Sequence, residues 1–400
     1  MNAYKIINRV TNLLGITQPP TFKREIPLFT DEGVTNAERT YHTFITGDKL
    51  RLSLTRFKRG AGTCNNVVIF MHGLTTSSDM FIMPEQEVNC VNYFLDNGYT
   101  DVWCVDNRIS MRWPYNLEVH EYTLDHIAKY DNPKMIETVR KVVGDGPKIH
   151  VIAHCVNAMS ILMSAAAGVI PDVSTITVNS TGLTPRVTLG AWLKIQLAPL
   201  LVNYTMEHIS PKFSRERMYT YRRLLGNLVS LFHLECEIPE CHMVSFMWSV
   251  GFPGVWQHKN LEPKTHARTG DLYGATSYKY DWHIRKCLNA GKIVKWDPND
   301  RQFSNMPNDY LDAATNINIP IFLVTGSKNG VFPRSNDTLY NHMKLRGKQN
   351  FHFHIFQEYG HQDVFMGKRV HKDVLPVLKN FITMQSLDKK NIARAGNIEE

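Results

Sequence analysis

Three residues far apart in the chain have the types an acyl-transfer centre needs: a thiol at Cys155, an imidazole at His361 and a carboxamide at Asn329. Such chemistry requires a nucleophile, a base held in orientation by a third group, and N–H donors for the developing oxyanion. Cys155 ends the apolar run Lys148-Ile-His-Val-Ile-Ala-His154 and precedes Val156–Gly168, which is rich in small and apolar residues. A buried strand, a one-residue turn and a helix are the context that lifts a nucleophile clear of the chain. Ala153, two positions earlier, is small enough for the turn. Two positions later, where glycine is usual, stands Asn157, whose greater bulk can alter the crowding behind the nucleophile. An inert core thiol is the plain alternative, since cysteine is among the most buried residue types. The order of the remaining parts weighs against it.

The base expected in this order is His361, in Glu358-Tyr-Gly-His-Gln-Asp363 after the last apolar strand-like run. The chain has seventeen histidines, so it is the position after a terminal strand that singles this one out. The orienter should follow the preceding strand, where Gly326-Ser-Lys-Asn329-Gly-Val-Phe-Pro333 puts Asn329 at the place usually held by aspartate. A neutral amide can still fix the imidazole tautomer, as in Cys-His-Asn sites. A thiol tolerates this because it ionises more readily than a hydroxyl, so the pair can rest as thiolate–imidazolium. Asp363 and Asp337 are rival orienters, with Asp363 expected to cap the following helix. The oxyanion donors would be the backbone N–H groups of Val156 and of Leu74, which follows Met71-His-Gly73.

These parts need a scaffold that brings strand ends together. Residues 41–57 alternate across Thr46-Gly-Asp-Lys49 and predict a hairpin. Buried strands are expected at Val67–Gly73, Asp101–Asp106, 148–154, Ser174–Val178, Ile321–Thr325 and Phe351–Phe356, with a helix over 133–143 and further helices between and after strands. That alternation predicts an α/β fold, a mostly parallel sheet with helices on both faces. The chain divides into a lead-in with a helical start (1–40), a first core part (41–181), an inserted helical cap (182–316), a second core part (317–385) and a polar tail (386–400). The cap interval carries five of the seven tryptophans, Trp192, Trp248, Trp256, Trp282 and Trp296. Most would bury the cap's own core, and some would line an apolar pocket.

The 400 residues are 43% hydrophobic and 20% charged, with net charge +8. Their basic residues are scattered, without the stripe a nucleic-acid binder shows. Seven dispersed cysteines, an odd number, suit a reducing, cytoplasmic setting rather than a disulfide scaffold. No apolar run reaches the roughly 18 residues needed to span a bilayer, and the start has no signal-peptide pattern. Ile6, Ile7, Val10, Leu13 and Leu14 make a helical stripe suited to packing on the body or to peripheral membrane contact. Cys236 and Cys241, near His242, His258 and His266, raise a zinc reading, but Cys-x4-Cys is loose and no second tight pair accompanies it. Packing or a redox-sensitive pair is favoured there, and no metal or cofactor is expected. Asp106-Asn-Arg108 is read as a structural hydrogen-bond corner.

Taken together, Met71-His-Gly-Leu74, Tyr122-Thr-Leu-Asp125, Tyr130-Asp-Asn-Pro133, Ala153-His-Cys155, Gln257-His-Lys-Asn-Leu261, Thr265-His266 and Tyr359-Gly-His-Gln-Asp363 carry a resemblance. They resemble the esterase-like α/β-hydrolases found alone or fused to cholesterol-oxidase-type oxidoreductases of the glucose–methanol–choline family. The resemblance spans about residues 40–383 and implies the α/β-hydrolase fold, a cysteine-centred elbow and an ester- or acyl-directed activity. The chain has no dinucleotide-binding glycine fingerprint, so the oxidoreductase half and its flavin are not expected. The leading expectation is a Cys-dependent acyl enzyme acting on a lipophilic small-molecule ester or thioester, by hydrolysis or transfer. The alternative is a non-catalytic binding protein of the same fold. Haloalkane- and epoxide-type chemistry is disfavoured, since it needs a carboxylate at the elbow.

Overall fold

The expected hairpin forms from β1 (Glu38–Ile45) and β2 (Arg51–Lys58), antiparallel and in register from Glu38↔Lys58 to Ile45↔Arg51. The computed structural model describes residues 27–62, 64–116, 122–202, 208–249, 254–277 and 279–386. The apolar stripe at 6–14 and the polar tail after Ser386 lie outside the described residues.

Short apolar, β-branched runs make the remaining strands: β3 (Asn66–Met71), β4 (Asp101–Asp106), β5 (Lys148–His154), β6 (Thr175–Asn179), β7 (His208–Ile209), β8 (Thr276–Ser277), β9 (Ile321–Gly326) and β10 (Phe351–Phe356). Eight of them form one sheet in the order β1-β2-β4-β3-β5-β6-β9-β10, while β7 and β8 pair as a separate ribbon. From β4 to β10 every pairing is parallel, and the hairpin joins antiparallel through β2. β4, β6 and β9 are buried at every position, which requires cover on both faces. The helices, in chain order, are α1 (Cys90–Asp96), α2 (Asn132–Val143), α3 (Val156–Ala166), α4 (Leu189–Val202), α5 (Tyr221–Phe232), α6 (Pro239–Trp248), α7 (Pro263–Ala267), α8 (Lys279–Ala290), α9 (Ser335–Leu345), α10 (Asp363–Met366) and α11 (Leu375–Ser386), and α1, α2, α3, α9 and α11 pack on the sheet.

Between β6 and β9 the alternation lapses. The chain runs through α4 to α8 and the β7–β8 ribbon, and Phe213, Val229 and Met243 make a small core of their own there. Asp125 ties this stretch to the main body, accepting from Trp296 N at 2.8 Å and from the Tyr310 hydroxyl at 2.6 Å. Among the described residues no helix is long and apolar enough to cross a membrane.

The Asp106-Asn-Arg108 corner is structural, as read from sequence. Asp106 accepts from Ser78 N, Ser78 Oγ and Ser110 Oγ at 2.7–3.0 Å. Arg108 is fully buried between two carboxylates, with Nε 2.9 Å from Asp131 and Nη1 2.7 Å from Asp48 in the hairpin turn. The guanidinium therefore fastens β1–β2 to the start of α2. Its removal would strand Asp131, whose carboxyl burial already pushes its pKa up even with Arg108 beside it. Breaking a buried pair from one side costs roughly 3–5 kcal/mol. Arg108→Met is expected to lose that much in urea unfolding, whereas Arg39→Met at the exposed Asp31 pair should lose under about 1 kcal/mol.

Candidate active site

β5 ends in the core at His154, and the next residue turns. Cys155 has φ 55° and ψ −119°, outside the regions a cysteine normally visits, and it is the N-cap of α3. A conformation of this kind costs on the order of 1–3 kcal/mol and persists only where its surroundings hold it. Here Cys155 N donates to Asn179 O at 3.1 Å on β6, and Cys155 O accepts the first helical bond, from Met159 N at 3.2 Å. The turn lifts the thiol to the carboxyl end of the sheet, where the backbone N–H groups of Val156 and Leu74 favour its thiolate form. The loop carrying Leu74 comes this close because residue 73 is glycine. A Cβ at Gly73 would lie 2.9 Å from His154 Cδ2 and 3.2 Å from Cys155 Cβ.

Asn157 does not crowd the sulfur. Its Nδ2 donates to His72 O and its Oδ1 accepts from Asn107 Nδ2, each at 2.7 Å. The expected steric departure is instead a strut joining α3 to the ends of β3 and β4, and its amide would be hard to replace by glycine.

His361 reaches the thiol from the loop after β10. A ring nitrogen of His361, one of His154 and Cys155 Sγ all lie within 4.8 Å of one another. His361 Nδ1 is 3.1 Å from Asn329 Oδ1. The amide orientation is fixed by its neighbours, since Asn329 Nδ2 faces Ser180 O, Phe332 O and Thr325 Oγ1 at 3.0–3.2 Å. Asn329 Oδ1 meanwhile accepts from Val331 N and Phe332 N at 3.1 Å each. Turning the amide over would set N–H against N–H and oxygen against oxygen. Oδ1 therefore accepts from His361 Nδ1–H, and the lone pair left on the ring is at Nε2.

The rival orienters are elsewhere. Asp337 sits on α9 beside Arg334. Asp363 is the first residue of α10 rather than its cap, the N-cap being Gln362. Its carboxylate accepts from Gly360 N at 2.8 Å and Asn260 Nδ2 at 2.6 Å, which shapes the loop that presents His361 without touching the imidazole. The same loop is held by Val255 O, which accepts from His361 N and Gln362 N at 3.0 Å each.

The electrostatics correct one expectation. Burial pushes the Cys155 thiol up to about 12, even with two N–H groups favouring the thiolate, and burial holds His361 down to about 3. Burial of both groups thus favours thiol and neutral imidazole over the thiolate–imidazolium pair that thiol acidity alone allows. Ionisation would raise too much charge in a dry site whose orienter is itself neutral.

Above the thiol lies a cavity of about 590 Å³, closed by residues from both the sheet ends and the 187–284 stretch. Val187, Ile195, Phe246 and Trp248 face it with Trp282, so two of the five tryptophans of that stretch reach the cavity. Trp256 is buried and packs instead against Tyr273 at 5.4 Å between ring centroids, while Trp192 is 39% exposed. Two charged groups also border the space. The Lys194 ammonium donates to Phe246 O, Met247 O and Ser249 O at the carboxyl end of α6, and burial lowers it to about 7. Asp281 is pushed up to about 7 by the same cause.

Sequence reasoning passed over Asn179 and Ser180. Asn179 Nδ2 bridges His154 Nδ1 and His361 O, and Ser180 Oγ donates to His361 O at 2.8 Å. Their one signal was polar character at the carboxyl end of a buried parallel strand, where sites of this fold class gather.

Searches found no protein-family model and no curated protein matching the chain. Solved structures do match in fold. DcsB in complex with its substrate analogue has a TM-score of 0.55 at 13% identity, with 87% of this chain and 99% of that chain covered. A lipase in its open form has a TM-score of 0.53 at 15% identity, covering 88% and 100%. A carboxylesterase structure from the ammonia-oxidizing thaumarchaeon Nitrososphaera gargenis has a TM-score of 0.50 at 12% identity, covering 86% and 99%. With the sheet order and the elbow, these likenesses show that the chain has the α/β-hydrolase fold.

The amide geometry has a spectroscopic consequence. Imidazole nitrogen NMR at neutral pH should find His361 neutral, protonated at Nδ1 and bare at Nε2. Asn329→Ala should erase that tautomer preference and destabilise the protein by roughly 1–3 kcal/mol, because Val331 and Phe332 N–H lose their buried acceptor.

Proposed function

We propose that the chain is a Cys-dependent acyl enzyme that forms a thioester on Cys155 from a lipophilic ester or thioester. The observation that carries this reading is the convergence on one sulfur of two backbone N–H donors and a tautomer-locked imidazole. A substrate carbonyl entering the cavity would place its carbon on Cys155 Sγ and its oxygen toward the N–H groups of Leu74 and Val156. His361 Nε2 takes the thiol proton as the S–C bond forms, so neither ion has to exist alone. Asn329 Oδ1 then stabilises the imidazolium through Nδ1–H. The tetrahedral oxyanion collapses, the C–O or C–S bond to the leaving group breaks, and His361 returns the proton to that group. Water, an alcohol or an amine completes the cycle by attacking the thioester. His361 takes the acceptor's proton and hands it back to the departing sulfur.

The apolar cavity supports a lipophilic acyl or alcohol part. Two proteins sharing the fold are named as a lipase and a carboxylesterase, which agrees with ester chemistry. A thioester is readily intercepted by amines and alcohols, so transfer and hydrolysis both follow from the same intermediate. Seven free cysteines fit a reducing, cytoplasmic setting.

Intact-mass spectrometry with an activated long-chain ester should show one acyl adduct on the wild type and none on Cys155→Ala. No adduct on the wild type, or equal adducts on both, would contradict the reading, and unaltered lipid binding by Cys155→Ala without turnover in the wild type would mark a binding protein. Asn329→Ala should slow adduct formation roughly ten- to hundredfold, the loss of one charge-assisted hydrogen bond worth about 1.5–3 kcal/mol. Adding an amine or alcohol acceptor should shorten the adduct's lifetime in proportion to acceptor concentration.

A further inference from the structure

Away from the elbow, a second group of soft donors converges. Cys236 lies just before α6, Cys241 in its first turn, His258 on the turn His258–Asn260 and His266 on α7. One ligand atom from each, two sulfurs and two imidazole nitrogens, lie within 4.8 Å of one another. Cys241 Sγ and His258 Nε2 are 3.3 Å apart. A tetrahedral zinc with Zn–S of about 2.3 Å and Zn–N of about 2.0 Å has ligand–ligand edges of roughly 3.3–3.8 Å. The four atoms need contract by no more than about 1.5 Å to meet that geometry.

We infer that Cys236, Cys241, His258 and His266 form a closed structural zinc site. His266 Nε2 is buried without a hydrogen-bond partner. Such an orphan costs roughly 1–3 kcal/mol, and a bound cation would use its lone pair. Two thiols with two imidazoles select zinc over calcium or magnesium, which take oxygen donors. Two thiol protons leave on binding, so two thiolates neutralise the ion's charge. His242 stands outside the ligand set. Its Nε2 is 3.0 Å from Cys236 O, which can only accept, so that nitrogen carries a proton. The same N–H lies 3.3 Å from Cys236 Sγ and would support the thiolate from the second shell. In the sequence the histidines come as His-x7-His, well downstream of the cysteines. Only the fold supplies the second pair.

The site's position gives it a consequence. It clips α6, whose end supplies Phe246 and Trp248 to the cavity wall, to the 255–267 segment. In that segment Val255 O holds His361 N, and Asn260 holds Asp363. Zinc would thereby fix both the cavity wall and the loop that presents the base, without touching either.

Elemental analysis of the full chain, purified under reducing conditions from zinc-supplemented medium, should find one zinc per chain. Cobalt(II) in its place should give the intense visible bands and sulfur-to-metal charge transfer of a tetrahedral thiolate site. His266→Ala and Cys241→Ser should each lose the metal, and chelation of the wild type should lower its Tm. Cys155→Ala should keep its zinc, which separates this cluster from the one at the elbow and from the fate of the acyl-enzyme reading. Folded wild type without zinc that takes up no cobalt would overturn the inference. So would a Cys236–Cys241 disulfide in the folded protein, or loss of the metal in Cys155→Ala.

Discussion

The carboxamide of Asn329 sets the electrical character of the whole site. Its oxygen takes the Nδ1–H of His361 and two backbone N–H groups, while its NH2 is consumed by Ser180 O, Phe332 O and Thr325 Oγ1. No carboxylate could replace it without facing two carbonyl oxygens. The imidazole thus has an orienter that fixes its tautomer yet does nothing to draw a proton onto the ring in advance. Burial then keeps both His361 and Cys155 neutral. On the proposed mechanism, proton movement is deferred to the moment a carbonyl carbon arrives. A serine hydroxyl would be poorly served by so weak an arrangement, because it is much the harder group to deprotonate. A thiol is not.

Everything else that matters lies at the carboxyl ends of parallel strands. β3 delivers Gly73 and Leu74, β5 the strained Cys155, β6 the Asn179–Ser180 pair, β9 the loop to Asn329 and β10 the loop to His361. The strain at Cys155 is tolerated because its backbone N–H is captured by the neighbouring strand and its carbonyl by the helix it starts. Asn157, Asn107 and His72 O brace that helix from behind. These contacts come from four separate stretches of chain, so the elbow's geometry depends on the sheet rather than on local propensity.

What the sequence disclosed follows the range of the forces involved. Apolar runs and the hairpin's alternation revealed every strand of the large sheet, because burial there is one-dimensional information. Cys155, Asn329 and His361 were legible because each follows such a run in a known order. Asn157 was misjudged, since its bulk is visible in sequence but its two partners, on other strands, are not. The charge state is not legible in sequence for a related reason, because thiol acidity is a property of the residue and desolvation is a property of the site. Asn179, Ser180 and the pairing of Cys236 and Cys241 with His258 and His266 needed three dimensions altogether. Two-residue strands such as β7 and β8 carry no periodicity to read.

The central claim is that the resting centre holds no ions. Difference ultraviolet spectroscopy between the wild type and Cys155→Ser, scanned across pH, reads the thiolate of this one cysteine directly. A neutral resting pair gives no Cys155-dependent thiolate absorbance at neutral pH, with ionisation appearing only in strong alkali. A thiolate signal already present at pH 7 that vanishes in the serine variant would contradict it.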